Sequence, residues 1–257
     1  MSEPPVLHHL KVSHYNEKVR WALDYKGIPH VRKAAIPGRH RKLAKELTGG
    51  TTSTFPVLVE NGYAIGDSSR IIAHLEDRYP SPPLYPRDLA ERRRALDLED
   101  FFDEQLGPYS RLLVVHHELP DGRLFLKTFV PDLNGARLAM ARAQFPVMRP
   151  RIRKLFGIDD EAVSHALHQV HAAGARFRAE VQPNGYLVGD DFSVADLTVA
   201  SLVAPIVAPQ DFPYPQAQSG HPRLEPLRDV LDEYGLLDWT RDMYTRKRRR
   251  SAAIQEQ

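Results

Sequence analysis

The sequence predicts an α/β domain followed by an all-helical one. Three observations carry that reading: strand and helix patterns alternate over residues 1 to about 80, prolines crowd residues 81–86, and apolar positions then recur at helical spacing. Val6 to Val12 is an apolar run and a first strand; Tyr15 to Lys26, with Val19, Ala22 and Leu23 on one face, is a helix closed by Gly27. His30 to Ala35 is a second strand and Arg39 to Leu47 a short helix. Val57 to Glu60 and Tyr63 to Ile65 form a hairpin across Asn61-Gly62, a strong two-residue turn signal. A helix from Ser68 to Arg78 buries Ile71, Ile72 and Leu75 and stops before Pro80.

Ser81-Pro82-Pro83 and Pro86 form a stiff linker, because each proline fixes φ and disfavours helix before it. Leu89 to about Glu118 is a long helix or a pair broken near Gly107-Pro108, and Glu161 to Val181 is another helix. Residues 119–160 are rich in Pro, Gly and Arg and are expected to be an insertion of short helices. In Asp191-Phe192-Ser193-Val194-Ala195-Asp196-Leu197, Ser193 can cap a helix while Asp196 reaches back, with Phe192 and Leu197 as a hydrophobic staple. The expected division is 1–80, a helical domain over 88–245, and a basic, solvated and disordered tail over 246–257.

With 257 residues the chain is long enough for two domains. No stretch reaches the roughly 20 apolar residues a bilayer crossing needs; the longest candidate, Val199 to Ala208, contains Pro205. The first residues, Met-Ser-Glu-Pro-Pro, lack the basic and apolar regions of a secretory signal, so a cytoplasmic location is expected. The formal charge is +2, yet Arg246 to Arg250 supply five positives; without them 30 basic residues face 33 acidic ones, which argues against a nucleic-acid surface. Cysteine is absent, so no disulfide, thiolate metal site or protein-borne thiol nucleophile exists, and any thiol chemistry needs a sulfur brought by a ligand. Twelve histidines do not make a metal site: His8 and His9 point to opposite faces of a strand, His116 and His117 diverge around a helix, and His165 and His168 share a face without a third ligand. No metal is expected.

Two segments carry candidate chemistry. Pro56, directly before a short apolar strand in Thr54-Phe55-Pro56-Val57-Leu58, suggests a cis bond that leaves the next residue as an unpaired edge, and Gly66-Asp67-Ser68 begins a helix. One edge and one helix start can grip a peptide. The third part is Ser13-His14-Tyr15-Asn16, where the first apolar run gives way to the first helix. A serine at a helix start can donate its hydroxyl to a sulfur while nearby N–H groups favour the anion.

On these motifs the chain resembles the cytosolic glutathione transferase superfamily, in the group that uses serine. The resemblance covers nearly the full length and is stronger in the N-terminal motifs. The order βαβαββα is similar to the thioredoxin-like one, and Ser-His-Tyr-Asn occupies the place where glutaredoxins carry Cys-Pro-Tyr-Cys. The resemblance implies a thioredoxin-like, glutathione-binding N-terminal domain and a helical C-terminal domain, the glutathione transferase fold.

It implies further that Ser13 donates a hydrogen bond to the glutathione thiolate, with Asn16 as a helper; were the loop shifted at His14, Asn16 or Tyr15 would take that place. The backbone of Val57 would pair with the cysteinyl part. Asp67 and Ser68 would hold the γ-glutamyl end, although aspartate is shorter than the usual glutamate or glutamine, and Phe55 stands where the family often has a smaller aliphatic residue. His40 and Arg41, in Gly38-Arg39-His40-Arg41, would meet the glycine carboxylate, with solvated surface charge as the competing reading.

The expected function is activation of the glutathione thiol for attack on a small apolar electrophile, in a cytoplasmic, detoxifying homodimer with no nucleic-acid or membrane partner. Phe101, Phe102, Leu106, Tyr109 and Leu113 are candidate walls of the electrophile site, with a place in the core as the alternative. The rivals are a non-catalytic member of the same fold whose 119–160 insertion mediates contacts, and an enzyme using bound glutathione for reduction, isomerisation or dehalogenation.

Overall fold

The computed structural model describes residues 3–214 and 221–254. Met1, Ser2 and the last three residues of the expected tail lie outside the described residues. Strand β1 (Val6–His9), helix α1 (His14–Tyr25), β2 (His30–Ala34), α2 (His40–Leu47), β3 (Val57–Glu60), β4 (Tyr63–Gly66) and α3 (Ser68–Arg78) follow one another. The sheet order is β4-β3-β1-β2-β5, where β5 is Ala253–Ile254 near the far end of the chain. β1 pairs parallel with β2 and antiparallel with β3, and β3 pairs antiparallel with β4 across the Asn61-Gly62 turn, where both residues have positive φ. This is a thioredoxin-like sheet with one added strand.

The helical region contains α4 (Leu89–Gln105), α5 (Gly107–Glu118), α6 (Gly122–Phe129), α7 (Gly135–Leu155), α8 (Asp160–Glu180), α9 (Val194–Val207), α10 (Glu225–Asp232) and α11 (Leu236–Lys247). The break between α4 and α5 falls at Gly107, where a side chain would collide with the Tyr15 ring. Helix α9 is buried along its whole length and lies against α1, α4 and α11. Its start is fixed by the capping box: the Asp196 carboxylate accepts from the Ser193 amide and hydroxyl, both at 2.9 Å, and from the Leu187 amide at 2.8 Å. One core cluster therefore runs from Leu7, Trp21 and Leu23 through Phe102 to Leu197 and Leu231.

The linker is clamped as well as stiff. The buried Lys26 ammonium donates to the Tyr79 and Pro82 carbonyls at 2.8 and 2.9 Å and pairs with Glu76, whose carboxylate accepts from the Leu84 and Tyr85 amides.

Two expectations need correction. The 119–160 insertion is not a set of short helices: α7 runs 21 residues, with Pro146 and Pro150 inside it. Only Phe145 of α7 is buried, packing so close to Gly122 that a Cβ there would lie 2.5 Å from its ring. Beside Phe145, α7 packs only the partly buried Leu138, Ala141 and Ile152 on the same cluster, and Pro146 and Pro150 read as helix breaks in the sequence, so its length did not show in the pattern. The second correction is the tail, expected to be solvated and disordered from 246. The Arg248 side chain is 3 % exposed and pairs with Glu17 at 3.0 Å and Asp24 at 2.6 Å, while the Ala252 amide donates to Asp24 at 2.8 Å. Ala253 and Ile254 then extend the sheet beside His30 and Val31. Glu17 and Asp24 are buried on α1, and buried carboxylates require cations and donors; the basic run supplies them.

Candidate functional site

Ser13 occupies the cap position before α1 in extended geometry (φ −79°, ψ 127°). Its hydroxyl does not cap the helix; its oxygen accepts from the Asn16 side-chain amide at 2.7 Å. Asn16 is fully buried and bonded on both ends: its carbonyl oxygen accepts from the Leu10 amide at 2.9 Å, and its nitrogen also donates to the Phe55 carbonyl at 3.2 Å. Asn16 thus joins the end of the first strand, the Ser13 hydroxyl and the Pro56 loop.

The Phe55–Pro56 peptide bond is cis. Val57, expected to offer a free backbone edge, does not: it lies in β3 with His8 of β1 on one side and Gly66 of β4 on the other. In a strand flanked on both sides, each amide and carbonyl faces a ladder partner, whereas Phe55, before the cis bond, lies outside β3 with its carbonyl accepting from Asn16. Its ring also lies 5.8 Å from the His40 ring and 6.0 Å from that of His8.

Asp67 and Ser68 follow Gly66 at the start of α3. Asp67 has φ 75°, the left-handed side of the map that non-glycine residues rarely occupy, and its carboxylate caps the helix by accepting from the Arg70 amide at 3.0 Å. Ser68 is buried, while Ser69 donates its hydroxyl to Asp103 of α4 at 2.8 Å and accepts from the Lys18 ammonium at 3.1 Å. Lys18 sits 2.7 Å from Glu99 and 2.5 Å from Asp103. The helix that would receive the γ-glutamyl end is thereby fastened to α1 and α4. Burial raises the Glu99 carboxyl above its ordinary value, against the pull of Lys18.

The remaining candidates divide. His40 begins α2, and its Nδ1 accepts from the Gly38 amide at 3.0 Å; burial and then the neighbouring Arg41 charge lower its pKa. Arg41 is exposed beside it. Tyr15 donates its hydroxyl to the Asp103 carbonyl at 2.6 Å, and burial pushes its pKa well up, so it serves the contact between α1 and α4. Phe102, Leu106 and Leu113 are core residues, with Phe101 and Tyr109 packed against the same core. The site thus gathers Ser13, Asn16, Phe55, Pro56 and His40 around one loop, with Asp67 and Ser68 one strand away. Sequence reasoning undervalued Asn16; its signal was a small amide where the resembled motif carries a second cysteine.

Residues 7–83 match the family described as glutathione S-transferase, N-terminal domain. Over this N-terminal stretch the chain is similar to the cytosolic glutathione transferases. A glutathione S-transferase of Triticum aestivum is 33% identical over 120 residues, covering 47% of this chain and 54% of that protein. FtsZ-localized protein A of Caulobacter vibrioides is 30% identical over 142 residues, covering 53% and 60%. The chain thus spans little more than half the length of these curated relatives. A solved glutathione S-transferase of Methylobacterium radiotolerans, in complex with glutathione sulfonate, superposes with a TM-score of 0.54 at 20% identity over 99% of both chains. At that identity it speaks for the fold alone.

Among the described residues no helix is long and apolar enough to cross a membrane, and no group of three or more His, Asp or Glu is placed to hold a metal ion.

Proposed function

We propose that the protein binds glutathione along the Phe55–Pro56 loop and uses the Ser13 hydroxyl to stabilise the thiolate for attack on an electrophile. The observation that carries this reading is the 2.7 Å bond from the Asn16 amide to the Ser13 oxygen. With its oxygen accepting from Asn16, the hydroxyl has its proton left to donate, and the same asparagine ties it to the Phe55 carbonyl. A hydrogen bond to a charged group contributes about 1.5–3 kcal/mol, enough to lower a thiol pKa of about 8.5 by one to two units. In this reading the cysteinyl backbone pairs at Phe55, the γ-glutamyl carboxylate meets Ser68 at the start of α3, the ammonium faces Asp67, and His40 and Arg41 meet the glycine carboxylate. The glutathione-binding domain is 1–80 and the helical domain 88–245. The superfamily supports a cytoplasmic homodimer acting in detoxification.

Calorimetric titration with glutathione, comparing the native chain with Ser68→Ala, tests the binding. Weakened binding in Ser68→Ala is expected; no binding to the native chain ends the reading. Turnover of 1-chloro-2,4-dinitrobenzene should fall roughly 10- to 100-fold in Ser13→Ala, and undiminished turnover would assign the sulfur to another group.

One observation favours a second reading, a protein-interaction member of the fold. Helix α7 carries Arg137, Arg142, Arg149, Arg151, Arg153 and Lys154 without an acidic residue, and exposes Met140, Val147, Met148 and Leu155. A relative, FtsZ-localized protein A, is named for its localisation with another protein and not for a reaction. A native chain that takes no glutathione at millimolar concentration would favour this reading over the first.

A further inference from the structure

Helix α7 presents most of its surface outward. It lies against α6 and is held by the buried Phe145 and the partly buried Leu138, Ala141 and Ile152. Met140, Gln144, Val147, Arg151 and Leu155, all exposed, follow at i, i+4, i+7, i+11 and i+15, the spacing of one continuous helical row. Arg137, Met148 and Lys154 border that row, and Arg142, Arg149 and Arg153 form a second row on the other side of the helix. Of the nine large apolar side chains exposed among the described residues, four stand on this helix: Met140, Val147, Met148 and Leu155. The acids at its two ends are already engaged: Asp132 with Lys11 at 2.6 Å, Asp160 with Arg153 at 3.7 Å, and Asp159 as the cap of α8. Among the described residues, Arg153 is the one cation of α7 with an ion pair.

From this row we infer that α7 is the docking face for an acidic amphipathic helix of another protein. The inference deepens the protein-interaction reading above and rests on it, but it does not require that the thiol site be without function. A partner helix with apolar residues on one side lays them against Met140, Val147 and Leu155, while its Asp and Glu side chains meet Arg137, Arg151 and Lys154. Methionine is unbranched and adapts to the shape it meets, and guanidinium groups take carboxylates through two parallel hydrogen bonds. At about 1.5 Å per residue the helix offers a row of about 30 Å, room for a partner of about 20 residues. Two other polyanions fit less well. A nucleic-acid backbone asks for cations alone and would leave Met140, Val147 and Leu155 against phosphates. A lipid surface takes an apolar stripe set apart from charge, whereas Arg151 interrupts the row between Val147 and Leu155. Cation and apolar group alternating in one row complement a protein surface on which acid and apolar group alternate.

The probe is a fluorescein-labelled peptide of repeated Glu-Leu-Gln-Asp-Glu-Leu-Gln heptads, read by anisotropy against the full chain. Saturable binding is expected, lost when Gln and Asn replace every Glu and Asp of the peptide. Arg151→Gln with Lys154→Gln should weaken binding about tenfold, and so should Val147→Ser with Leu155→Ser. Arg142→Gln with Arg149→Gln, on the other side of the helix, should change it by less than about threefold at physiological salt. All these side chains are exposed, so each variant should keep the native Tm and the native response to glutathione. Equal losses from the two pairs of cations, or indifference to Val147→Ser with Leu155→Ser, would mean diffuse charge attraction and overturn the inference. Tighter α7-dependent binding of phosphatidylserine vesicles or of duplex DNA than of the peptide would also overturn it, as would self-association of the native chain that these variants abolish. A cellular protein captured equally well by the α7 variants would sink this inference and leave the protein-interaction reading standing. Peptide docking on α7 by a chain that also turns over glutathione would uphold the inference and end that reading as a replacement for the first.

Discussion

Helix α1 buries Glu17 and Asp24 with cations against them, whereas α5 buries Glu118 with none. On α1, Glu17 pairs with Arg20 at 2.7 Å and with Arg248, and Asp24 with Arg32 and Arg248, each at 2.6 Å. On α5, no cation pairs with Glu118 among the described residues, and burial pushes its carboxyl up to about 7, with the nearby Thr128 hydroxyl pulling the other way. The two helices differ in what surrounds them. α1 receives Arg32 from β2 and Arg248 from the returning C-terminal segment, while Glu118 faces the satellite cluster of Val115, Leu119, Phe125 and Phe145. The lesson is that the buried carboxylates of α1 are met by cations from distant segments, while the α5–α6 side leaves the Glu118 carboxyl without one among the described residues.

The largest effect should come from breaking the α1 network. Lys18→Met leaves Glu99 and Asp103 facing one another without their shared cation. Removing one member of a buried ion pair costs about 3–5 kcal/mol, so urea denaturation should show at least that loss at pH 7. A change below about 1 kcal/mol would mean that water or a shifted side chain already neutralises the acids, and that α1 is no better satisfied than α5.

Glu118 should move the other way. Its folded pKa, about 7, exceeds the ordinary 4.5, so the unfolded chain releases the proton first as pH rises. Stability from this group is full below about 4.5, falls as pH climbs toward about 7, and is lost above it. The loss at pH 8 is roughly 3 kcal/mol. Glu118→Gln should therefore be close to neutral at pH 4.5 and stabilising at pH 8, read as a rise in Tm that grows with pH. A gain independent of pH would show that the carboxyl is not titrating inside the protein.

The same contrast explains what the sequence disclosed. The first four strands, α1, α3, the Asn61-Gly62 turn and the Ser193–Asp196 box were legible because their signals are local: apolar period, turn residues and cap residues within a few positions. Pro56 and the start of α3 at Ser68 stood out for the same reason. What stayed hidden depends on distant partners. Nothing near Arg248 indicates that Glu17 and Asp24, more than 200 residues earlier, will claim it. That Val57 has no free edge follows from strand neighbours on both sides, which its own segment does not reveal.

Asn16 gives the smallest and sharpest test of the satisfied side. Asn16→Ala would leave the half-buried Leu10 amide without its acceptor, the Phe55 carbonyl without this donor and the Ser13 hydroxyl without its orienting bond. The stability cost should be about 1–3 kcal/mol. Ser13→Ala removes only one of these bonds and should cost less, since the hydroxyl makes no capping bond to α1. If Asn16 orients the site as well as bracing it, its variant should also weaken glutathione binding, and Asn16→Asp, which keeps the acceptor for Leu10, should regain stability without regaining a low thiol pKa. Ultraviolet absorbance of the bound thiolate across pH reads the second quantity, and denaturation reads the first. Equal recovery of both in Asn16→Asp would show that the amide braces the loop and does nothing for the sulfur.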